Sequence, residues 1–314
     1  MNVLVVTNMY PHKGSNKGIF VQEQVESFRE LSGLDVGFEV FNVDELSRFF
    51  LFKYIVSSFL LFNKILRNRY DVIHVHYGLT LIPLLPVLMF FNGNVILTCH
   101  GSDLMGKKVV NVITNFCAVF VKKIILVSLP QKIFLWAVNR PKAVVIPCGV
   151  SRDFFRVKDD IHTPEVLEKV NLIFPSSPNR PEKNFAAFRM IEQELLHSGI
   201  CCHTIIFESL SRTEIRNSYY DAHFLVLTSH REGSPQVVKE AVFCGLPVIS
   251  FDVGDCRTVL NELDNCLVSN DVSEIVKFIK EKMQSYSRLD EKELRSVVDC
   301  YSSSNVARRI YSLY

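Results

Sequence analysis

Several specialised compositions are missing from this chain. Its 314 residues carry 35 Lys and Arg against 33 Asp and Glu, a formal net charge of +2. So small a surplus excludes a dedicated nucleic-acid binder and predicts no nucleic-acid partner. Gly at 13 and Pro at 12 are too few for collagen-like or low-complexity material. Charged residues reach only 22%, which argues against an intrinsically disordered chain. The nine cysteines are odd in number and none is spaced C-x-x-C. A disulfide framework and a zinc site are therefore not expected. Cysteines in apolar runs, such as Cys99 and Cys117, predict reduced, buried thiols in a cytoplasmic protein. No unbroken membrane span is visible. The longest uncharged run, Val72 to Ser102 with His counted as neutral, is interrupted by Pro83, Pro86, Gly93 and Asn94. It reads as a buried helix followed by a buried strand. Phe49–Leu66 is broken by Lys53 and Lys64. Met1-Asn2 leads directly into Val3–Val6, which predicts no signal peptide.

What is present is a hydrophobic fraction of 48% and a length that suits two domains, each able to bury a core. The near-neutral total hides an asymmetry. Residues 1–150 hold 15 basic and 9 acidic side chains, whereas residues 151–314 hold 20 basic and 24 acidic ones. Short runs rich in Val and Ile predict strands at Asn2–Thr7, Val36–Val43, Asp71–His76, Asn94–Cys99, Lys123–Val127 and Ala143–Pro147. Helical patterns fall between them at Gly18–Leu31, Ser47–Arg69, Leu79–Phe91, Lys107–Phe120 and Pro130–Val138. A linker-like stretch, Pro147–Lys158, follows. The alternation then resumes, with strands at Asn171–Pro175, His203–Glu208, His223–Thr228 and Pro247–Phe251. The later helices are Lys183–His197, Ser211–Tyr219, Pro235–Cys244, Val272–Ser285, Glu291–Tyr301 and Asn305–Tyr314. Ser211-x-x-Glu214 fits a capping box. Apolar strands alternating with helices predict two parallel, doubly wound α/β sheets, with ligand at the carboxyl ends of the strands.

The chemically richest segment is Ser229–Glu240, which leaves a strand and enters a helix. Gly233 permits close backbone approach, Ser234 suits an N-cap and Pro235 a first helical residue. A helix start of this kind can receive a phosphate. Glu232 in the loop and Glu240 in the helix could chelate a vicinal diol. Two glutamates at this spacing are also common in an ordinary strand–loop–helix. Upstream, Arg180 and Lys183 stand between a strand and a helix, where two cations can neutralise a diphosphate leaving group. His100 closes a strand before a Gly-Ser-Asp turn. Asp103 could orient His100, approach a second substrate or cap a helix. The loop before Gly18 lacks the G-x-G-x-x-G fingerprint, which argues against a nicotinamide dehydrogenase.

Taken together, Glu232–Ser250, Val253-Gly254-Asp255 and Pro175–Asn184 resemble the signature of glycosyltransferase family 4, the sugar transferases of the GT-B fold. Gly18–Gln24, Asp71–His76, His100-Gly-Ser-Asp103 and Ile146–Val150 extend the resemblance in order along nearly the whole chain. Arg180 and Lys183 are three apart, where many relatives have five. Ala222-His223 stands where relatives often carry Ala-Asp, and only a structural effect is expected of that change.

The resemblance implies two doubly wound Rossmann-like domains facing across a cleft. An acceptor-binding domain is expected over 1–150 and a nucleotide-sugar-binding domain over 151–300, with a helix over 301–314 crossing back to the first. It implies a retaining hexosyltransferase that moves a sugar from a nucleotide-diphosphate sugar, UDP rather than GDP, to a glycan or lipid-linked oligosaccharide. The setting implied is cell-surface polysaccharide biosynthesis. His100, Arg180, Lys183 and Glu232 would be catalytic. Gly18, Ser229, Gly233, Ser234, Pro235 and Glu240 would hold the donor, Gly14 would join Gly18 over the diphosphate, and Asp103 would lie on the acceptor side. No D-x-D carboxylate pair is present, so neither a metal nor another cofactor is expected. Lys107-Lys108 and Lys122-Lys123 bracket an apolar helix that could rest on the inner face of the cell membrane. The helix could equally be buried with solvated ends. A nucleotide-sugar epimerase of the same fold, a soluble transferase making a small glycoside and a non-catalytic nucleotide-sugar-binding protein are the alternatives.

Overall fold

A computed structural model describes the chain apart from residues 12–17, 32–35, 47–49, 89–90, 92 and 159–165. In chain order the first half contains β1 (Asn2–Thr7), α1 (Ile19–Glu30), β2 (Gly37–Asn42), α2 (Phe50–Arg67) and β3 (Val72–His76). It continues with α3 (Leu85–Leu88), β4 (Asn94–Cys99), α4 (Lys108–Ala118), β5 (Lys123–Leu126) and β6 (Ala143–Val145). The second half contains β7 (Lys169–Phe174), α5 (Phe185–His197), β8 (Cys201–Ile206), α6 (Arg212–Asp221) and β9 (Phe224–Leu227). Then come α7 (Gln236–Phe243), β10 (Val248–Ser250), α8 (Cys256–Leu260), β11 (Leu267–Val268), α9 (Val272–Met283), α10 (Glu291–Tyr301) and α11 (Ser303–Tyr311).

These elements form two compact units. Met1–Gly149 together with Ser303–Tyr314 make the first, and Val150–Ser302 make the second. The first has a parallel six-stranded sheet ordered β2-β1-β3-β4-β5-β6. The second has a parallel five-stranded sheet ordered β11-β10-β9-β7-β8. In each, the winding direction reverses beside the unit's first strand, between β1 and β3 and between β7 and β9. The carboxyl ends of those strand pairs are the places where open α/β sheets bind ligands.

The strand sequences explain the layers. Val3–Val6 is apolar without alternation because both faces of the sheet are covered. Leu4, Val6, Ile73 and Leu97 point to one face, where Tyr54 and Leu61 of α2 and Cys117 and Ala118 of α4 meet them. Val3, Val5, Val72 and Ile96 point to the other, against Val25 and Phe28 of α1 and Val306 and Ile310 of α11. In the second unit, Leu172, Phe174, Phe224 and Val226 pack on α5 and α9. Ile173, Leu225, Leu227 and Val248 pack on the side that carries α7 and α10.

Some expectations need correction. Of the helix expected over Leu79–Phe91, the first part is a 3-10 stretch, Gly78–Leu84, which leads into the α-helical Leu85–Leu88; residues 89–90 lie outside the described residues. Pro83 and Pro86 remove amide donors that an α-helix there would use. Pro130–Val138 contains a 3-10 turn, Leu129–Phe134, rather than an α-helix. The two residues of β11 and the five of α8 are too short to leave a periodic signal. All nine cysteines are free, but Cys201 and Cys300 are exposed rather than buried. Among the described residues, no helix is long and apolar enough to cross a membrane.

Candidate functional site

The loops after β7 and β9 are stitched together by backbone contacts. Thr228, just past β9, donates its hydroxyl to the carbonyls of Lys183 (3.2 Å) and Asn184 (3.0 Å). The His230 amide donates to the Glu182 carbonyl at 3.0 Å. Asn184 adopts a left-handed conformation (φ 53°), and its side chain accepts from the Ala187 amide to start α5. This arrangement leaves Lys183 at the mouth of both loops. Its Nζ lies 2.6 Å from Glu232 Oε1, and the Ser229 hydroxyl donates to the same oxygen at 2.7 Å. Lys183, Ser229 and Glu232 thus converge at the β7/β9 reversal. Arg180 does not join them. It is 55% exposed and forks onto Glu182, at 2.9 Å from Nε and 2.7 Å from Nη2. The Glu182 carboxyl is held below its ordinary range by its own backbone amide and by Arg180.

The Glu232–Pro235 turn is backed by Val253-Gly254-Asp255. Gly254 has φ +61°, and a Cβ there would come within 2.8 Å of the Gly233 carbonyl oxygen. Ser234 differs from expectation. It stands one residue before the N-cap position, and its hydroxyl donates to Asp255 Oδ2 at 2.8 Å. Pro235 is the N-cap residue and makes no side-chain cap, and α7 begins at Gln236. Behind the turn, the fully buried Lys239 donates to Ser234 and pairs with Asp255 Oδ2 at 2.7 Å. Its ammonium sits 5.1 Å from the Tyr301 ring centre.

Glu240, one residue on, is 1% exposed. Its Oε1 accepts from Arg212 at 2.8 Å and its Oε2 from the Tyr219 hydroxyl at 2.9 Å. The Arg212 guanidinium lies 4.8 Å over the Phe155 ring. Burial, and then the neighbouring Glu240 charge, push the Tyr219 hydroxyl well above the usual range. Sequence reasoning missed Lys239, Arg212 and Tyr219. A lysine inside the apolar run Val237–Phe243 was the available signal for the first, and the capping box at Ser211 marked the element that carries the other two.

In the first unit, β3 and β4 bring three histidines together. The His74 and His76 rings stack at 4.4 Å, and the His76 and His100 rings at 5.2 Å. His76 Nδ1 lies 3.0 Å from His100 Nε2. His74 is bonded to Thr98 and to the Tyr314 hydroxyl, each at 2.7 Å, while His76 Nε2 is buried without a partner. Burial pulls His74 and His100 down to about 3 and His76 well below the ordinary imidazole value, so all three stay neutral. Phe20 of α1 packs its ring 4.6 Å from that of His100.

Asp103 is fully buried rather than facing outward. Its carboxylate accepts the amides of Gly101 (2.9 Å), His100 (3.2 Å) and Gly78 (3.3 Å). Desolvation raises its pKa, and these amides oppose the rise. Its contacts fit a turn-holding role that fixes the backbone under His100. Gly18 has φ +79°, and a Cβ there would sit 2.3 Å from the Met9 carbonyl carbon. Gly14 lies outside the described residues. His223 accepts the Asn171 amide on Nδ1 at 2.9 Å, a structural bond that ties β9 to β7.

Comparison with known proteins follows the same division. Residues 5–154 match the profile described as Glycosyltransferase Family 4, and residues 165–285 match the profile described as Glycosyl transferases group 1. No curated protein matches the chain in sequence. Among solved structures, a sucrose-phosphate synthase from Thermosynechococcus elongatus superposes with a TM-score of 0.76 at 15% identity, over 100% of this chain and 98% of that one. The apo form of the lipopolysaccharide outer core galactosyltransferase WaaB gives 0.76 at 12% identity, over 100% and 99%. Anabaena HepE in complex with UDP and glucose gives 0.70 at 12% identity, over 99% and 98%. With both halves matched by family profiles and the whole chain sharing the architecture, the protein belongs to the family 4 glycosyltransferases of the GT-B fold.

Proposed function

We propose that the protein transfers a hexosyl group, with retention, from a nucleotide-diphosphate sugar to a glycan or lipid-linked oligosaccharide in cell-surface polysaccharide synthesis. The observation that carries this is the meeting of Lys183, Ser229 and Glu232 where the second sheet reverses. The complex of HepE with UDP and glucose supports a uridine nucleotide as the donor carrier.

The second unit takes the donor. Lys183 and the start of α7 face the diphosphate and offset the charge that builds on it as the glycosidic bond breaks. Lys183 and Glu232 now hold each other. A diphosphate drawing the ammonium away frees the Glu232 carboxylate to accept from sugar hydroxyls. Diphosphate and sugar are thereby recognised together. Gly233 and Pro235 set the path of the turn. Glu240 accepts from the ribose hydroxyls, with Arg212 yielding its place. Arg180 reaches the outer phosphate by releasing Glu182. In the first unit His100 bonds the donor sugar as a neutral imidazole, Gly18 brings its loop close to the diphosphate, and Asp103 supports the acceptor side through the turn it holds. The acceptor side lies in the basic first unit, at the cytoplasmic face of a membrane.

The test is nucleotide release from a panel of nucleotide sugars, with and without lipid-linked acceptor. Release that depends on acceptor is expected, together with weakened donor binding in Glu240→Gln. Rearranged free sugar formed without acceptor would instead identify an epimerase. Binding without any nucleotide release would identify a non-catalytic binding protein.

A further inference from the structure

The apolar surface of the protein is unevenly distributed. Among the described residues, large exposed hydrophobic side chains number 15 in the first unit against 3 in the second, Val166, Met190 and Leu196. Those of the first unit fall on three segments. On α2, Phe52, Ile55 and Phe59 are spaced three and four apart and point outward, while Tyr54 and Leu61 point into the core. On α4, Val109, Val112, Phe116 and Phe120 form a second outward stripe, opposite the buried Cys117 and Ala118. The third segment, after β5, exposes Ile133, Trp136 and Val138. Four of these side chains, Ile55, Phe59, Val109 and Ile133, are 69–72% exposed. That is unusual for apolar groups repeated at helical spacing on a water-facing side.

The three segments share one surface. Tyr54, Leu61, Leu81, Leu84, Cys117 and Ala118 belong to a single core on one face of the first sheet. The outer sides of α2 and α4 are therefore the outer side of one layer. The third segment is fastened to α4. The Asn115 side-chain amide donates to the Phe134 carbonyl at 3.0 Å, and the Trp136 amide donates to Asn115 Oδ1 at 2.7 Å.

Charge identifies what covers this face. Between Leu46 and Lys142 the sequence has 12 Lys and Arg but only 2 acidic residues, Asp71 and Asp103. Asp103 is fully buried. Lys53 and Lys64 are paired with Asp44 and Glu39. Lys107, Lys108, Lys123 and Lys132 form no ion pair with a described carboxylate. Apolar and aromatic side chains rimmed by lysines match the acyl and headgroup layers of an anionic bilayer.

We propose that the outer face of α2, α4 and Leu129–Val138 inserts into the surface of an anionic membrane, the first unit lying on the bilayer without crossing it. This deepens the reading of a lipid-borne acceptor, and rests on it for its purpose. The notable consequence is that three chain segments, rather than one basic helix, set the orientation of the unit on the lipid.

Trp136 is the only tryptophan in the chain and lies within the face, 40% exposed, so its emission reports insertion directly. The full chain is mixed with vesicles of phosphatidylcholine alone, or with about one third phosphatidylglycerol. Expected are a blue shift of Trp136 emission and flotation with the anionic vesicles, both reduced in about 0.5 M salt. Phe116→Ser and Ile133→Ser should each weaken vesicle partition about tenfold. Neither should change binding of a nucleotide sugar in lipid-free solution. That second measurement separates a failed platform from a failed donor site. Unchanged emission and no flotation at low salt would overturn the proposal. Equal partition onto neutral vesicles would overturn the role given to the lysines. A lipid-free dimer that Phe116→Ser dissolves would overturn it in favour of a second copy of the chain covering the face.

Discussion

Lys183 and Arg180 occupy the same loop with opposite prospects. Lys183 is held inward by Glu232 and by the hydroxyl network of Thr228, while Arg180 is solvated and paired with its neighbour Glu182. Pre-positioned charge in a partly dry site is worth far more than a mobile surface charge. Lys183→Ala is expected to lower kcat about a hundredfold or more, the scale of a lost transition-state donor. Arg180→Ala should change it by less than about tenfold. Steady-state rates on the best donor check both, and equal losses would contradict the assignment. The histidines of the first unit make a second prediction. Their folded-state pKa values lie below the ordinary imidazole value, so the unfolded chain takes up protons that the folded one refuses. Their stability contribution is therefore full above about pH 6.5 and declines as pH falls toward 3, by about 1.4 kcal/mol per pH unit for each histidine. Asp103, raised by burial, works in the opposite sense. Thermal midpoints should be level above about pH 6.5 and fall between pH 6.5 and 4.5, with a shallower slope in His76→Phe; a flat profile would refute the burial argument.

At the scale of elements, α7 shows how a site can rest on a buried charge. Lys239 pairs with Asp255, and both brace Ser234 at the foot of the Glu232–Pro235 turn. Removing one member of a buried pair strands the other, at a cost of about 3–5 kcal/mol. Lys239→Met should destabilise the second unit by that amount in urea unfolding. The double variant Lys239→Met/Asp255→Leu should recover most of it; no recovery would mean that packing, not charge, sets the cost. The sequence made most elements legible because their apolar runs are long. Asn2–Thr7, Asn94–Cys99 and Glu291–Tyr301 match their predicted bounds. Where it failed, local chemistry had overridden periodicity, as with Pro83 and Pro86 in the 3-10 stretch. Lys183, Glu232 and Glu240 were visible through motif order. Their partners were not, because Arg212 and Tyr219 meet Glu240 only after α6 packs beside α7. The bond from Ser234 to Asp255 was equally hidden, since it depends on the Gly254 turn lying against Gly233.

For the molecule as a whole, the two units differ in how the chain builds them. The second is one continuous segment, whereas the first is interrupted after Gly149 and resumes at Ser303. Val306, Ala307 and Ile310 fill the face of the first sheet beside Val25 and Phe28, and the Asn94 side chain donates to the Tyr314 carbonyl at 2.6 Å. Removing Ser303–Tyr314 should expose that face and destabilise the first unit by several kcal/mol, about 1.5–3 for each large side chain left unburied. The second unit should unfold as before. Two resolved calorimetric transitions, of which only one moves, would bear this out; a parallel shift of both would not.

The interruption also orders events during synthesis. Strands β1 to β6 leave the ribosome well before the helix that seals one side of their sheet has been translated. The second unit, continuous in sequence, needs no segment from outside Val150–Ser302 to close its own core. Through that interval the first unit shows two greasy surfaces to the cell, the temporary one beneath α11 and the permanent one over α2 and α4. A nascent chain in that state is a natural client for chaperones, and early arrival at a membrane would shelter one of the two surfaces while the other waits for its helix.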